Sequence, residues 1–179
     1  MTGSSEAPGG AGLSRVVYLS RIRLGPDRRE SEIVAEILKA SVERNRKSRV
    51  SGCLLAINGW FIQLIEGPAA EVEATFGRIA CDPRHGFLRV LDNRPVSERL
   101  FADWAMCARA LSVTDDAICA VVGRPFNIVP DRLAPATAIL LLEAVRKVQD
   151  RHIEWLDVPP SRPKGSAANG LNRNASVTS

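Results

Sequence analysis

The chain has 179 residues, 45% of them hydrophobic and 25% charged, an ordinary globular composition that supports one domain with a core needing neither disulfide nor metal. Of the net charge of +4, three positive charges (Arg162, Lys164, Arg173) sit in the acid-free segment 159–179, so the middle of the chain lacks the clustered basic face of a nucleic-acid binder. No charged-then-apolar leader opens the sequence, and its longest apolar stretch, Ala134 to Val145, is too short to cross a membrane, so a cytoplasmic chain is expected, with neither membrane nor nucleic acid as partner.

Residues 1–14, rich in Gly, Ser and Ala, read as a disordered tail. Arg15 to Ile22 reads as a strand centred on Val16, Val17, Tyr18 and Leu19. After the Gly25-Pro26-Asp27 turn, a helix starting at Asp27 or Ser31 runs to about Arg46. It places Ile33, Ile37, Ser41 and Asn45 on one narrow face, with Val34, Leu38 and Val42 beside it. Val50 to Ile57 and Trp60 to Glu66 form a hairpin about Asn58-Gly59, a strong two-residue turn signal. Gly67-Pro68 breaks the second strand and opens a helix over Glu71 to Ala80, with Val72, Phe76 and Ile79 inward. Past the loop Asp82-Pro83-Arg84-His85-Gly86 come two more strands, Leu88 to Val96 and Phe101 to Ala108, then helices over Asp115 to Val122 and Pro135 to Ile153. Residues 159–179 read as a second disordered tail.

The order β-α-β-β-α-β-β predicts an α+β, ferredoxin-like sheet with two helices on one face and the C-terminal helices on the other. Cys53, Cys81, Cys107 and Cys119 are too far apart in sequence for a metal knuckle or a redox pair, as are His85 and His152; no metal is expected, and free cysteines suit a reducing compartment.

The strand Trp60 to Glu66 is apolar on both faces, as a central strand is, yet Gln63 lies between large hydrophobes. A buried amide without hydrogen bonds costs about 1–3 kcal/mol, so it needs partners. In a ferredoxin-like sheet the first and third strands are neighbours, and Tyr18, the only tyrosine, can reach Gln63 if the two share a face. Asn45, closing the helix stripe, then points to the same place. The residues alone leave two readings open: a satisfied polar pair in a core beside an ordinary helix end, or a polar-edged pocket.

Around these residues the sequence resembles the BLUF family, blue-light sensors that use FAD. The likeness runs from about Arg15 to Ala108 through Val17-Tyr18-Leu19-Ser20, Asn45, Ser51-Gly52-Cys53-Leu54-Leu55, Gly59-Trp60-Phe61-Ile62-Gln63-Leu64-Ile65-Glu66-Gly67, Asp82-Pro83-Arg84-His85 and Phe101-Ala102-Asp103-Trp104-Ala105-Met106. It implies a flavin-binding domain over 15–109 and a helical extension over 110–158. It also implies FAD held noncovalently between the two helices, with Ile37 and Ile79 flanking the ring and Asn45 and Gln63 bonding its polar edge. Arg84 and His85 stand near the cofactor, and Ser41 lies on the same helix stripe. Tyr18 and Gln63 would carry the photochemistry, electron and proton leaving the phenol through the amide, and Met106 and Trp104 would lie on one face of the fifth strand in a segment that moves.

The implied protein is a photoreceptor and not an enzyme, passing its signal to a separate effector or through rearrangement of a homo-oligomer. The helix Ala136 to Val148 has more apolar surface than one face needs, and either caps the sheet or also meets a partner. Two other readings remain: an acylphosphatase-like hydrolase, for which no phosphate loop or nucleophile–base pair is visible, and a ferredoxin-like interaction module.

Overall fold

The computed structural model describes residues 12–25, 27–103, 105–111, 129 and 132–152. In chain order the elements are β1 (Leu13–Ile22), α1 (Glu30–Ser48), β2 (Ser51–Ile57), β3 (Trp60–Pro68), α2 (Ala69–Ala80), β4 (His85–Val96), β5 (Cys107–Leu111) and α3 (Pro135–His152). They build one five-stranded sheet in the order β4-β1-β3-β2-β5, parallel only where β2 meets β5.

The β2–β3 hairpin turns on Asn58 and Gly59, both at positive φ (52° and 76°), the backbone a two-residue hairpin requires. β3, apolar on both faces, has β1 on one side and β2 on the other. Its neighbour Gly52 is crossed so closely by β3 that a Cβ there would lie 2.1 Å from the Leu64 carbonyl oxygen.

The sheet separates two cores. On one face Val16, Tyr18, Leu54, Phe61 and Ile65 pack against Ile33, Val34 and Ile37 of α1 and Val72 of α2. On the other, Val17, Leu19, Leu55, Ile62 and Leu64 pack under Leu141, Leu142 and Val145 of α3. α1 opens with Glu30 and Glu32 and closes with Arg46 and Lys47, charges that complement its dipole, and ends on Arg49 in the left-handed region (φ 55°). The expected ferredoxin-like arrangement is therefore present, two helices on one face and a C-terminal helix on the other.

Several boundaries differ from the sequence pattern: β1 begins at Leu13, inside the expected tail, and β3 is not broken at Gly67-Pro68, because these two residues pair with Ser14 and Leu13, so α2 follows at once from Ala69. β4 begins at His85 rather than Leu88, because His85 and Gly86 pair with Ile22 and Arg21. The strand expected from Phe101 begins only at Cys107, so Met106 precedes it instead of lying within it. The reason is local competition for backbone groups: the Phe101 N–H goes to the Glu66 carboxylate (2.6 Å) and the Ala105 carbonyl accepts from Asn45 Nδ2 (2.9 Å), leaving neither for a ladder. The helix expected over Asp115 to Val122 and both expected tails lie outside the described residues, apart from 12–14.

Candidate functional site

Tyr18 and Gln63 stand directly opposite each other in the antiparallel β1–β3 register, so both side chains project to the face covered by α1 and α2. The phenol of Tyr18, fully buried, donates to Gln63 Oε1. Burial, reinforced by the Asp82 carboxylate, pushes that phenol well above its ordinary pKa, so it remains a protonated donor at neutral pH. The other end of the amide, Gln63 Nε2, faces the sulfur of Met106 at 3.6 Å, a weak acceptor.

Above this pair lies a narrow cleft between α1 and α2, about 540 Å³ including its open mouth. Ile37 and Ser41 of α1 line one side and Ile79 of α2 the other, with Asn45, Gln63 and Met106 at one end. Asn45 is buried, and its Nδ2 is spent on the Ala105 carbonyl. The Ser41 hydroxyl turns back to the Ile37 carbonyl (2.6 Å), a helix-internal bond.

Arg84 and His85 also line the cleft. His85 Nδ1 shares a hydrogen bond with Ser20 Oγ at 2.8 Å, and its ring packs on Phe61 with centroids 4.7 Å apart. Desolvation, with Arg84 adding and Asp82 opposing, lowers its pKa to about 4, so the ring is neutral at physiological pH. Arg84 Nε bonds Asp82 at 2.9 Å and holds that carboxyl below its usual range.

All the expected residues that the structure describes (Tyr18, Ile37, Ser41, Asn45, Gln63, Ile79, Arg84, His85 and Met106) are brought to this one place. Trp104 lies outside the described residues. Sequence reasoning missed Thr75 and Arg78, joined at 2.7 Å, which with Ile79 follow the i, i+3, i+4 spacing of one face of α2, and Asp82 in the loop just beyond that helix. Arg44 is also on the cleft wall. Cys53 and Cys107, remote in sequence, are register partners across β2 and β5 on the opposite face, and burial pushes the Cys53 thiol up.

The donor set suits a planar heteroaromatic ring. Aliphatic side chains face each other across a slot, amides that both donate and accept stand at one edge, and Arg44, Arg78 and Arg84 line the same cleft.

The comparisons agree. The family model described as sensors of blue-light using FAD matches residues 13–107. The photoactivated adenylate cyclase subunit beta of Euglena gracilis is 36% identical over 104 residues, which is 58% of this chain but only 12% of that protein's length. The dark-state structure of BlrB, a BLUF protein, is 28% identical with a TM-score of 0.59, covering 78% of this chain and 98% of that one. The photo-activated state of BlsA shares the fold at 22% identity, with a TM-score of 0.62 over 74% of this chain and 94% of that one. With more than half its length matched, and a tyrosine, glutamine and asparagine gathered at one cleft, the chain belongs to the BLUF family of blue-light sensors.

Proposed function

We propose that the cleft binds FAD noncovalently and that Tyr18 and Gln63 turn absorption of blue light into a rearranged hydrogen-bond network. The observation that carries this reading is the bond from Tyr18 Oη to Gln63 Oε1 at the cleft floor. Ile37 and Ile79 would hold the ring faces, Asn45 and Gln63 its polar edge, and Arg84, with His85 neutral beside it, would line the pocket.

What FAD supplies when bound is a strong oxidant on blue-light excitation. Tyr18 is an oxidisable side chain hydrogen-bonded directly to Gln63. A phenol that gives up an electron becomes a strong acid, so its proton leaves along the bond already made to Gln63 Oε1. An amide that gains a proton on oxygen can return it from a different arrangement, because it carries both donor and acceptor groups. When the electron and proton are back on Tyr18, the net change is the orientation of Gln63 alone. Met106 then loses the Nε2 donor it faces.

Residues 15–109 act as the sensor and 110–158, which include α3, as the extension that carries the signal to a separate effector or to another copy of the chain. Among the described residues no helix is long and apolar enough to cross a membrane. The test is the absorption spectrum of the purified protein, dark and after blue light. A flavin spectrum that shifts reversibly to the red is expected. A colourless protein that takes up no added FAD refutes the reading.

A further inference from the structure

Glu66 lies on the same strand as Gln63, three residues on and pointing through to the opposite face. Its side chain is entirely buried, and each oxygen has a partner: Oε2 accepts from Arg15 Nε at 2.9 Å and Oε1 from the Phe101 N–H at 2.6 Å. Arg15 also reaches the Glu98 carbonyl at 3.1 Å, and Arg99 bonds Ser51 Oγ at 2.9 Å. The turn before Met106 is thus tied to β1, β2 and β3 by charged side chains. Five residues beyond Phe101, Met106 meets Gln63. Among the described residues between them none has a strand partner, and Ala102 and Asp103 are exposed.

One rigid strand therefore sets both ends of the 101–106 segment, Glu66 from one face and Gln63 from the other. We propose that Glu66 is a positioning residue: by holding the Phe101 N–H it fixes where Met106 stands against Gln63 in the resting state. Loosening that hold weakens the contact that favours the resting amide, so the return from the lit state slows. The inference rests on the photosensor reading above.

The experiment follows dark recovery of the red-shifted absorbance in wild type, Glu66→Gln, Glu66→Asp, Met106→Ala and the Glu66→Asp/Met106→Ala double variant, all at matched flavin occupancy. Glu66→Gln keeps the size and removes the charge. Glu66→Asp keeps the charge for Arg15 and draws it back from Phe101. Both are expected to form a red-shifted state of wild-type size and to recover about five- to ten-fold more slowly, the scale of one modest hydrogen bond on a barrier. The double variant is expected to be no slower than Met106→Ala alone, since both changes break one unit. Recovery that is unchanged or faster in the Glu66 variants, or slowing that multiplies in the double variant, overturns the proposal. Hydrogen exchange on wild type gives a reading that needs no variant. The Phe101 amide stays protected in light while the amides of Ala105 and Met106 exchange faster; loss of Phe101 protection in light overturns it. A wild-type protein without any red shift removes the photosensor reading and this inference with it, whereas a normal wild type with unaffected variants removes the inference alone.

Discussion

Tyr18→Phe deletes one oxygen and leaves the ring against Phe76, 5.5 Å away edge to face. Both side chains are buried, Tyr18 completely and Gln63 nearly so, and Gln63 Oε1 loses its phenol donor. An unpaired buried acceptor costs about 1–3 kcal/mol. At about 2–4 °C per kcal/mol for a chain of this length, Tm falls by several degrees while the fold persists. The photochemical loss is far larger. Phenylalanine neither gives an electron as readily nor carries a proton to pass on, and no second tyrosine exists in the chain. The assay is a light-minus-dark difference spectrum of wild type and variant at matched flavin occupancy, with a thermal melt of each. The variant is expected to bind FAD, melt a few degrees lower and show no red-shifted state. If it forms that state with wild-type yield, the route through Tyr18 is wrong, even if the flavin is there.

Asn45→Ala removes the amide at the cleft edge and the tie to the Ala105 carbonyl; FAD affinity is expected to drop about 5- to 150-fold, the equivalent of about 1–3 kcal/mol, by titration of apoprotein. The His85 imidazole titrates at about 4 when folded against 6.5 in a free chain, so between those values the unfolded state binds the extra proton. Stability is therefore complete above pH 6.5 and declines as pH falls toward 4, by at most about 3 kcal/mol; a melting temperature with the same slope from pH 6.5 to 5 in His85→Gln as in wild type would contradict this. Gly52→Ala drives a methyl into the Leu64 carbonyl at 2.1 Å, within a fully paired sheet. It should give little soluble protein, and a stable, flavin-loaded variant would show that the β2–β3 spacing yields more easily than close packing allows.

Much of this site is legible in the sequence. Alternation along β1 and β3 puts Tyr18 and Gln63 each on a definite face, and Asn58-Gly59 sets the β2–β3 register. What alternation could not supply was the β1–β3 register itself, which places the two residues opposite one another rather than two positions apart. The fifth strand departs from its sequence pattern for a different reason. Phe101 to Ala108 has the look of a strand, but its first half is held by Glu66, 35 residues earlier, and Asn45, 60 residues earlier. Nothing local in Phe101-Ala102-Asp103 reports a carboxylate arriving from β3. Glu66 was itself easy to pass over, because a glutamate before Gly67 reads as the solvated end of a strand until Arg15 is known to lie opposite it. Cys53 and Cys107 share the same blind spot: parallel pairing joins residues that spacing rules treat as unrelated.

β3 has hydrogen-bonded neighbours along both sides, so its backbone at Gln63 cannot slide or tilt without breaking two ladders at once. The only inexpensive coordinates left at that position are the side-chain torsions of a single amide. A sensor built this way stores its bit of information in a few rotatable bonds inside a frame that does not deform. Resetting needs no refolding, only the amide's return to its first well. It also means that nothing can be read out along the strand itself: any receiver must touch the amide directly, and among the described residues Met106 is the neighbour that does so from outside the sheet.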